Sequence, residues 1–340
     1  MLALAGGIVL TLALLVALYA MGAAWLGAWR GRARWVARGR GGAVVVAALL
    51  FVAMGILLFG LLMDRFELRY VIEHSARAMP LYLKASALWA GQEGSLLLWA
   101  VLQASATAWL ATRPSTHGVA LVPWATALLA VVTTLFVSLC LLTANPFAPQ
   151  LGNPADGLGL NPLLRHPAMV LHPPLLYVGY VGLAVPAALA LAALIARQPD
   201  AFMRAARPWA LGSWLFLGVG LLLGARWAYD VLGWGGYWGW DPVENAGLMP
   251  WLIATGMLHA LGAPRRGVAA RAWAAALAVV SFLLVIAGTF ITRSGMIASA
   301  PRCWPSWAWR RWALWPSFLP APRSWHPQRG PQVTPTAARC

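Results

Sequence analysis

Carboxylates are scarce in this sequence. Nine aspartates and glutamates stand against twenty-five lysines and arginines over 340 residues, and charged residues of every kind make up 10% of the chain. A soluble globular domain carries about a quarter charged residues, so an ordinary water-exposed globule is excluded. Cysteine is sparse too. There are three, with no CxxC pair and no spacing suited to zinc or a disulfide framework. Cys140 sits inside an apolar run and reads as a small packed residue. No internal repeat, glycine-rich phosphate loop or nucleophile elbow is present. The net charge of +16 would suggest nucleic acid if the arginines shared one polar face. They stand instead in clusters between long apolar runs, so nucleic acid is excluded as a partner.

What fills the chain is apolar: 61% of residues are hydrophobic and the mean hydropathy is +0.70. A helix needs about 20 such residues to cross a bilayer core of roughly 30 Å. Eight runs qualify: about 3–28, 43–63, 94–112, 121–143, 173–196, 209–227, 246–263 and 273–292. The third and seventh are diluted by Gln103, Ser105, Thr107 and His259. The expected fold is therefore an all-α polytopic membrane protein of about eight transmembrane helices. The first run is long and lacks a basic front and a small-residue cleavage site, so it is expected to be retained rather than removed as a signal peptide.

Arginine sets the orientation. Connection 30–42 carries Arg30, Arg32, Arg34, Arg38 and Arg40; connection 197–208 carries Arg197, Arg204 and Arg207; connection 264–272 carries Arg265, Arg266 and Arg271. With Arg113 they fall on one side if all eight spans are real. That side is expected to be cytoplasmic, with the N-terminus outside. Eight of the nine acidic residues, all but Asp200, fall outside or at that edge.

From Ala300 the composition changes abruptly to six tryptophans, six arginines and eight prolines. Proline this dense forbids a regular helix. The segment reads as out-of-frame or disordered sequence, or else as a basic, tryptophan-rich surface anchor. Three units result: 1–86 with the first two helices and a first external loop, 87–298 as the main membrane domain, and 299–340 as the aberrant tail.

Chemistry is concentrated in the external connections. Ala87–Leu96 leads into the third span, where Glu93 would favour the positive end of the helix dipole. His172 precedes Pro173 and Pro174, which are expected to hold the chain extended ahead of the fifth span. An imidazole fixed there suits an axial iron ligand or a hydrogen-bonded surface group. The run Trp227–Asn245 packs Trp234, Tyr237, Trp238 and Trp240 between glycines. An interfacial aromatic belt does not need that spacing, whereas glycine lets backbone and rings approach a flat ligand closely. Asp241 and Glu244 could cap the following helix, or indole Nε1 groups could meet the carboxylates of a macrocycle. His259 lies within the seventh span, where a polar group is expensive and usually functional; it could ligate buried heme or bond a neighbouring helix. Arg293 ends the eighth span and could neutralise a carboxylate or snorkel to the interface. His74 and His117 read as solvated, His166 as ambiguous, and His326 lies in the tail.

The run Trp227–Trp251 resembles the WWD signature of the heme-handling proteins of cytochrome c biogenesis. Trp89–Trp99, His172–Tyr180 and Gly288–Gly295 resemble flanking motifs of the CcmF branch, a heme lyase subunit, and of its close relative in nitrite reductase assembly. The resemblance covers about residues 1–298 and makes 87–298 the heme-handling domain. It implies a bacterial inner-membrane protein with the N-terminus and WWD loop periplasmic. It also implies heme held at the loop, with His172 as one axial ligand and Trp234, Tyr237, Trp238, Trp240, Asp241 and Arg293 around it. A membrane heme b would take His259. The second ligand of each pair has no counterpart: Met296–Cys303 stands where the family carries the external histidine. The chain therefore reads as an N-terminal portion ended by a frameshift. The implied partners are a heme chaperone, other maturation subunits, apocytochrome c and membrane lipid. The implied act is to position heme for attachment to CxxCH thiols, with no catalytic nucleophile or acid. A heme transporter using a path past Thr255, and a non-catalytic docking subunit of the assembly complex, are the alternatives.

Overall fold

The computed structural model describes residues 1–113, 119–150, 152, 154–232, 235–263 and 267–293. The described chain is helical, with one isolated β-bridge between Leu68 and Pro149. Two long helices open it, α1 (Leu2–Arg30) and α2 (Ala33–Leu62), followed by the short α3 (Arg69–His74) and α4 (Leu81–Ser86). Then come α5 (Gln92–Thr112), α6 (Val122–Leu142), α7 (Ala168–Ala196), α8 (Pro199–Val231), α9 (Pro242–Gly262) and α10 (Val268–Arg293).

Seven helices are long and apolar enough to cross a membrane: α1, α2, α5, α6, α7, α8 and α10. The expected eighth, α9, is a helix of 21 residues that falls short on composition, since Glu244, Asn245 and His259 lower its hydropathy. It still runs antiparallel between α8 and α10: Trp214 meets Thr255 near one end, and Gly288 packs on Ala246 near the other. The chain is a multi-pass helical membrane protein.

The arginine-rich connections are mostly helix rather than loop. Between α1 and α2 only Gly31 and Arg32 turn the chain, Gly31 taking the left-handed conformation (φ 63°) that closes a helix. Arg34, Arg38 and Arg40 thus ride the first turns of α2. Likewise Arg197, at φ 55°, ends α7 two residues before α8 begins. Hydropathy alone hides this, because arginine is a good helix former that lowers the apolar average. Small residues seam the α1–α2 hairpin, with Ala20 against Gly42 and Ala24 against Gly39, as is usual where helices approach closely in lipid.

The HPP segment corrects a second expectation. His172, Pro173 and Pro174 lie within α7, which starts at Ala168. The two prolines deprive the Met169 and Val170 carbonyls of their helical donors. The Trp89 indole donates to the Met169 carbonyl at 3.2 Å, so a partner from another segment makes good one of the two losses.

All chain reversals without arginine clusters meet at the opposite end, here called the loop end. There α3, α4 and residues 143–150 and 154–167 form a cap. Tyr70 is buried; its hydroxyl donates to the Ala87 carbonyl at 2.7 Å and accepts from the Gly91 amide at 3.1 Å, and burial pushes the phenol well above its usual range. His74 stacks on Tyr70 with centroids 4.3 Å apart, so it is half-buried rather than solvated. His117 lies outside the described residues. Lys84, 4% exposed, bonds both oxygens of Asp64 at 2.6 Å. Breaking a buried pair strands one charge. We expect Lys84→Ala to cost about 3–5 kcal/mol, read as a lower thermal midpoint in detergent, with Asp64→Ala in the same chain restoring part of it.

Candidate functional site

A cavity of about 390 Å³ opens at the loop end, between the starts of α5, α7 and α9 and the ends of α8 and α10. That volume lies in the range of small-molecule and cofactor pockets. Four of the residues singled out from sequence line it: His172, Trp238, Asp241 and Arg293.

His172 projects from α7 onto α8. Its Nδ1–H donates to the Gly220 carbonyl at 2.7 Å, which leaves Nε2 with the free lone pair, as second partners do for metal-binding histidines. The ring lies flat against Gly224. A methyl group built there would come within 2.5 Å of Cε1 and 2.8 Å of Nδ1. Glycine at 224 is therefore what lets an imidazole sit between these two helices.

Arg293, the last residue of α10, reaches across the cavity mouth. It donates to the Gln92 carbonyl at 3.2 Å, to Ser95 Oγ at 2.9 Å and to the Tyr177 hydroxyl at 3.1 Å. Three of its five N–H donors tie α10 to α5 and α7.

The tryptophan-rich segment is held by its junction with α9. Asp241 accepts from the Val243 amide at 2.7 Å, and Glu244 accepts from the Gly239 and Asp241 amides at 2.9 and 3.2 Å. This is a reciprocal capping box. Trp240, just before it, takes φ 54°, a strained value for a bulky residue. Trp238 lines the cavity. Its Nε1 is buried and has no hydrogen-bond partner among the described residues. Trp240 is 70% exposed and meets Trp238 edge-on at 6.2 Å. Tyr237 is 54% exposed and stacks on Tyr229 at 4.5 Å. Neither lines the cavity, and Trp234 lies outside the described residues.

Most of the aromatic wall comes from helices instead. Trp89, Trp99, Tyr177, Tyr180 and Trp227 all line the cavity. Trp99 stacks on Phe136 at 4.9 Å and on Tyr180 at 5.8 Å, and its Nε1 is a second buried indole donor without a partner. The Trp227 indole donates to the Leu163 carbonyl at 2.9 Å, and His166 meets Asp230 at 3.2 Å beside Arg226. Both contacts brace the end of α8. Sequence reasoning read Glu93 and its neighbours as a helix cap and gave the helical aromatics no role of their own. Trp99, Tyr177 and Tyr180 entered only as members of the segments Trp89–Trp99 and His172–Tyr180 that resemble flanking family motifs.

His259 is elsewhere. It is exposed on α9, twelve residues and roughly 18 Å of helix rise beyond Gly247, the last α9 residue lining the cavity. No polar partner reaches it among the described residues. Thr255, the expected polar stepping stone, accepts from the Trp214 indole at 2.8 Å and donates to the Trp251 carbonyl at 2.9 Å.

Comparison with known proteins supports one assignment. The family model described as Cytochrome C assembly protein matches residues 89–297. The cytochrome c-type biogenesis protein CcmF of Pseudomonas aeruginosa is 41% identical over 296 residues, covering 86% of this chain and 45% of that relative. The probable cytochrome c-type biogenesis protein NrfE of Escherichia coli is 42% identical over 254 residues, covering 74% of this chain and 46% of that relative. A solved structure, Cytochrome c Heme Lyase CcmF, superposes with a TM-score of 0.76 at 34% identity, covering 87% of this chain and 48% of its own. The chain thus spans less than half the length of these relatives. It belongs to the cytochrome C assembly protein family, the family of the CcmF proteins it resembles.

Proposed function

We propose that this chain binds heme in the loop-end cavity and holds it for covalent attachment to the two thiols of an apocytochrome CxxCH segment. The observation that carries this reading is the convergence of His172, Trp238 and Arg293 on one cavity from three separate segments. The residues fit the group. His172 offers an Nε2 lone pair suited to an axial iron position. The partnerless indole donors of Trp99 and Trp238 and the unused donors of Arg293 suit the two propionates. Trp89, Trp227 and the helical tyrosines give a π-rich wall for the macrocycle.

Bound heme supplies the vinyl groups and the iron chemistry; the residues supply orientation. His172 fixes the iron-bearing side against α8. Arg293 and the indoles would hold the propionates, leaving the vinyl groups free for the thiols. Holding reactants in register accounts for most of the acceleration in such a scheme. The arginine clusters favour a cytoplasmic arginine end and a periplasmic loop end in a bacterial inner membrane. A heme chaperone, other maturation subunits and the apocytochrome would then meet the loop end. Residues 87–298 act as the heme-handling unit. The exposed His259 is proposed as one ligand of a membrane heme b shared with helices that pack on this face of α9.

Titration of the purified chain in detergent with ferrous heme and with iron-free protoporphyrin tests the reading. A saturable Soret shift at one equivalent, with heme bound at least tenfold tighter than protoporphyrin, is expected. Equal binding of the two removes His172 as a ligand, and no saturable shift leaves a docking role in its place.

A further inference from the structure

We propose that the arginine end carries a binding site for one anionic phospholipid, in the groove where α1, α2 and α6 meet. Three adjoining hollows make this groove. The innermost, about 10 Å³ and so the size of a single water, is bordered by Arg40 of α2 and Thr126 of α6. The middle one, of about 420 Å³, shares Arg40 and Pro123 with it. The outer one, of about 340 Å³, shares Trp124 with the middle one and is walled by Trp25, Leu26 and Trp29.

The inner end is built for an anion. Arg30, Arg32, Arg34, Arg38, Arg40 and Arg113 gather at this end of the bundle, and no carboxylate pairs with any of them among the described residues. Of the ion pairs only Arg271–Asp200 lies at this end, between the starts of α8 and α10; the others involve Lys84, Arg65, Arg69, Arg226, His166 and the N-terminus at the loop end. Thr126 is 5% exposed, and its hydroxyl has no hydrogen-bond partner among the described residues. Its helix neighbours behave differently: Thr133 and Thr134 donate back to the Leu129 and Ala130 carbonyls. Thr126 thus offers a buried donor beside an unpaired guanidinium.

The outer end is built for an acyl chain. Trp25 and Trp124 meet edge to face at 5.9 Å and 83°, and Trp29 stands 72% exposed one turn nearer the interface. Basic pockets between helices at a cytoplasmic face suit anionic headgroups, and each arginine near such a surface is worth about 1 kcal/mol, or about fivefold in affinity. A phosphate in the middle hollow at Arg40, reaching the Thr126 hydroxyl through one water in the innermost hollow, with its chain along Trp124 and Trp25, uses both ends. Inorganic phosphate would use only the first, and a zwitterionic lipid would bring the same phosphate with a choline cation that the surrounding arginines repel.

The test is native mass spectrometry of the full chain, delipidated in detergent and offered equimolar phosphatidylglycerol and phosphatidylcholine of identical chains. In the wild type the first lipid bound is expected to be phosphatidylglycerol by about fivefold or more. Arg40→Gln brings the ratio near parity and Thr126→Val lowers it, while Arg34→Gln, outside the groove, leaves it unchanged. Trp124→Ala weakens both lipids alike, an effect on the outer end that does not depend on Arg40→Gln folding. Parity in the wild type overturns the proposal. An Arg34→Gln loss equal to that of Arg40→Gln also overturns it, because attraction would then be diffuse. Displacement of the bound lipid by millimolar inorganic phosphate overturns it in favour of a simple anion site.

Discussion

His172→Ala is expected to abolish the Soret shift that heme gives with the wild-type chain, weakening heme binding on the order of a hundredfold or more. The estimate follows from how metal sites behave: partners that merely hydrogen-bond a ligating histidine contribute about 10–100-fold in affinity, and here the ligand itself is removed. The substitution separates two roles of this side chain. The Nδ1–H bond to the Gly220 carbonyl also links α7 to α8, and its loss alone costs about 1 kcal/mol of stability. A purely structural His172 would therefore lower the thermal midpoint slightly and leave heme affinity intact. His172→Asn sharpens the contrast, because an amide N–H can keep the helix link while offering no imidazole. His172→Gly with added imidazole should regain part of the Soret shift. A wild-type spectrum in either alanine or asparagine variant would remove His172 from the site.

The sequence exposed the fold wherever hydropathy alone decides it. α1, α6, α7 and α10 are unbroken apolar runs, and their existence follows from length against bilayer thickness. It failed where two rules compete. Arg34 to Arg40 lower hydropathy yet form helix, so α2 begins ten residues before its apolar stretch. The prolines after His172 argue for extended chain, yet α7 passes through them because Trp89 supplies an outside donor. That donor lies eighty residues away in sequence, beyond any local pattern.

The site divides the same way. His172, Asp241 and Arg293 were legible because polar residues at helix ends in an apolar chain need a reason. The cap formed by Asp241 and Glu244 was legible from spacing. Trp99, Tyr177 and Tyr180 were not, since an aromatic within an apolar span looks identical whether it faces lipid, core or cavity. Only the packing of α5 against α6 and α7 shows that Trp99 faces the cavity. The loop rings were over-read for a related reason: alternation of glycine and aromatic fixes composition and does not decide which ring lines the cavity. His259 shows the limit from the other side, since its cost in a membrane is evident in sequence and the face it occupies is not.

Gly224→Val is expected to remove heme binding as fully as His172→Ala while touching no ligand. A Cβ at 224 falls within 2.5 Å of the His172 ring, closer than real atoms approach, and the valine branches add to the overlap. The ring must leave its place or the helices must part. Parting is resisted along the whole interface, because Leu176 packs on Gly220, Gly179 on Leu217 and Gly182 on Ser213. Interiors this close-packed take overpacking at a cost of about 1–3 kcal/mol. The cheaper response is to rotate His172 away from the Gly220 carbonyl, which releases Nδ1 and swings Nε2 off its position. Gly224→Ala should give an intermediate loss, on the order of tenfold, since the smaller group can be met by a shift of the ring. Gly212→Val, on the same helix with open space around it, is the control that carries only the helix-propensity change. Heme titration with circular dichroism on the three variants reads the outcome. If Gly224→Val keeps wild-type heme affinity with native helix content, the packing of His172 on α8 does not set its aim. If Gly212→Val loses heme equally, the loss belongs to α8 as a whole and not to the contact at residue 224.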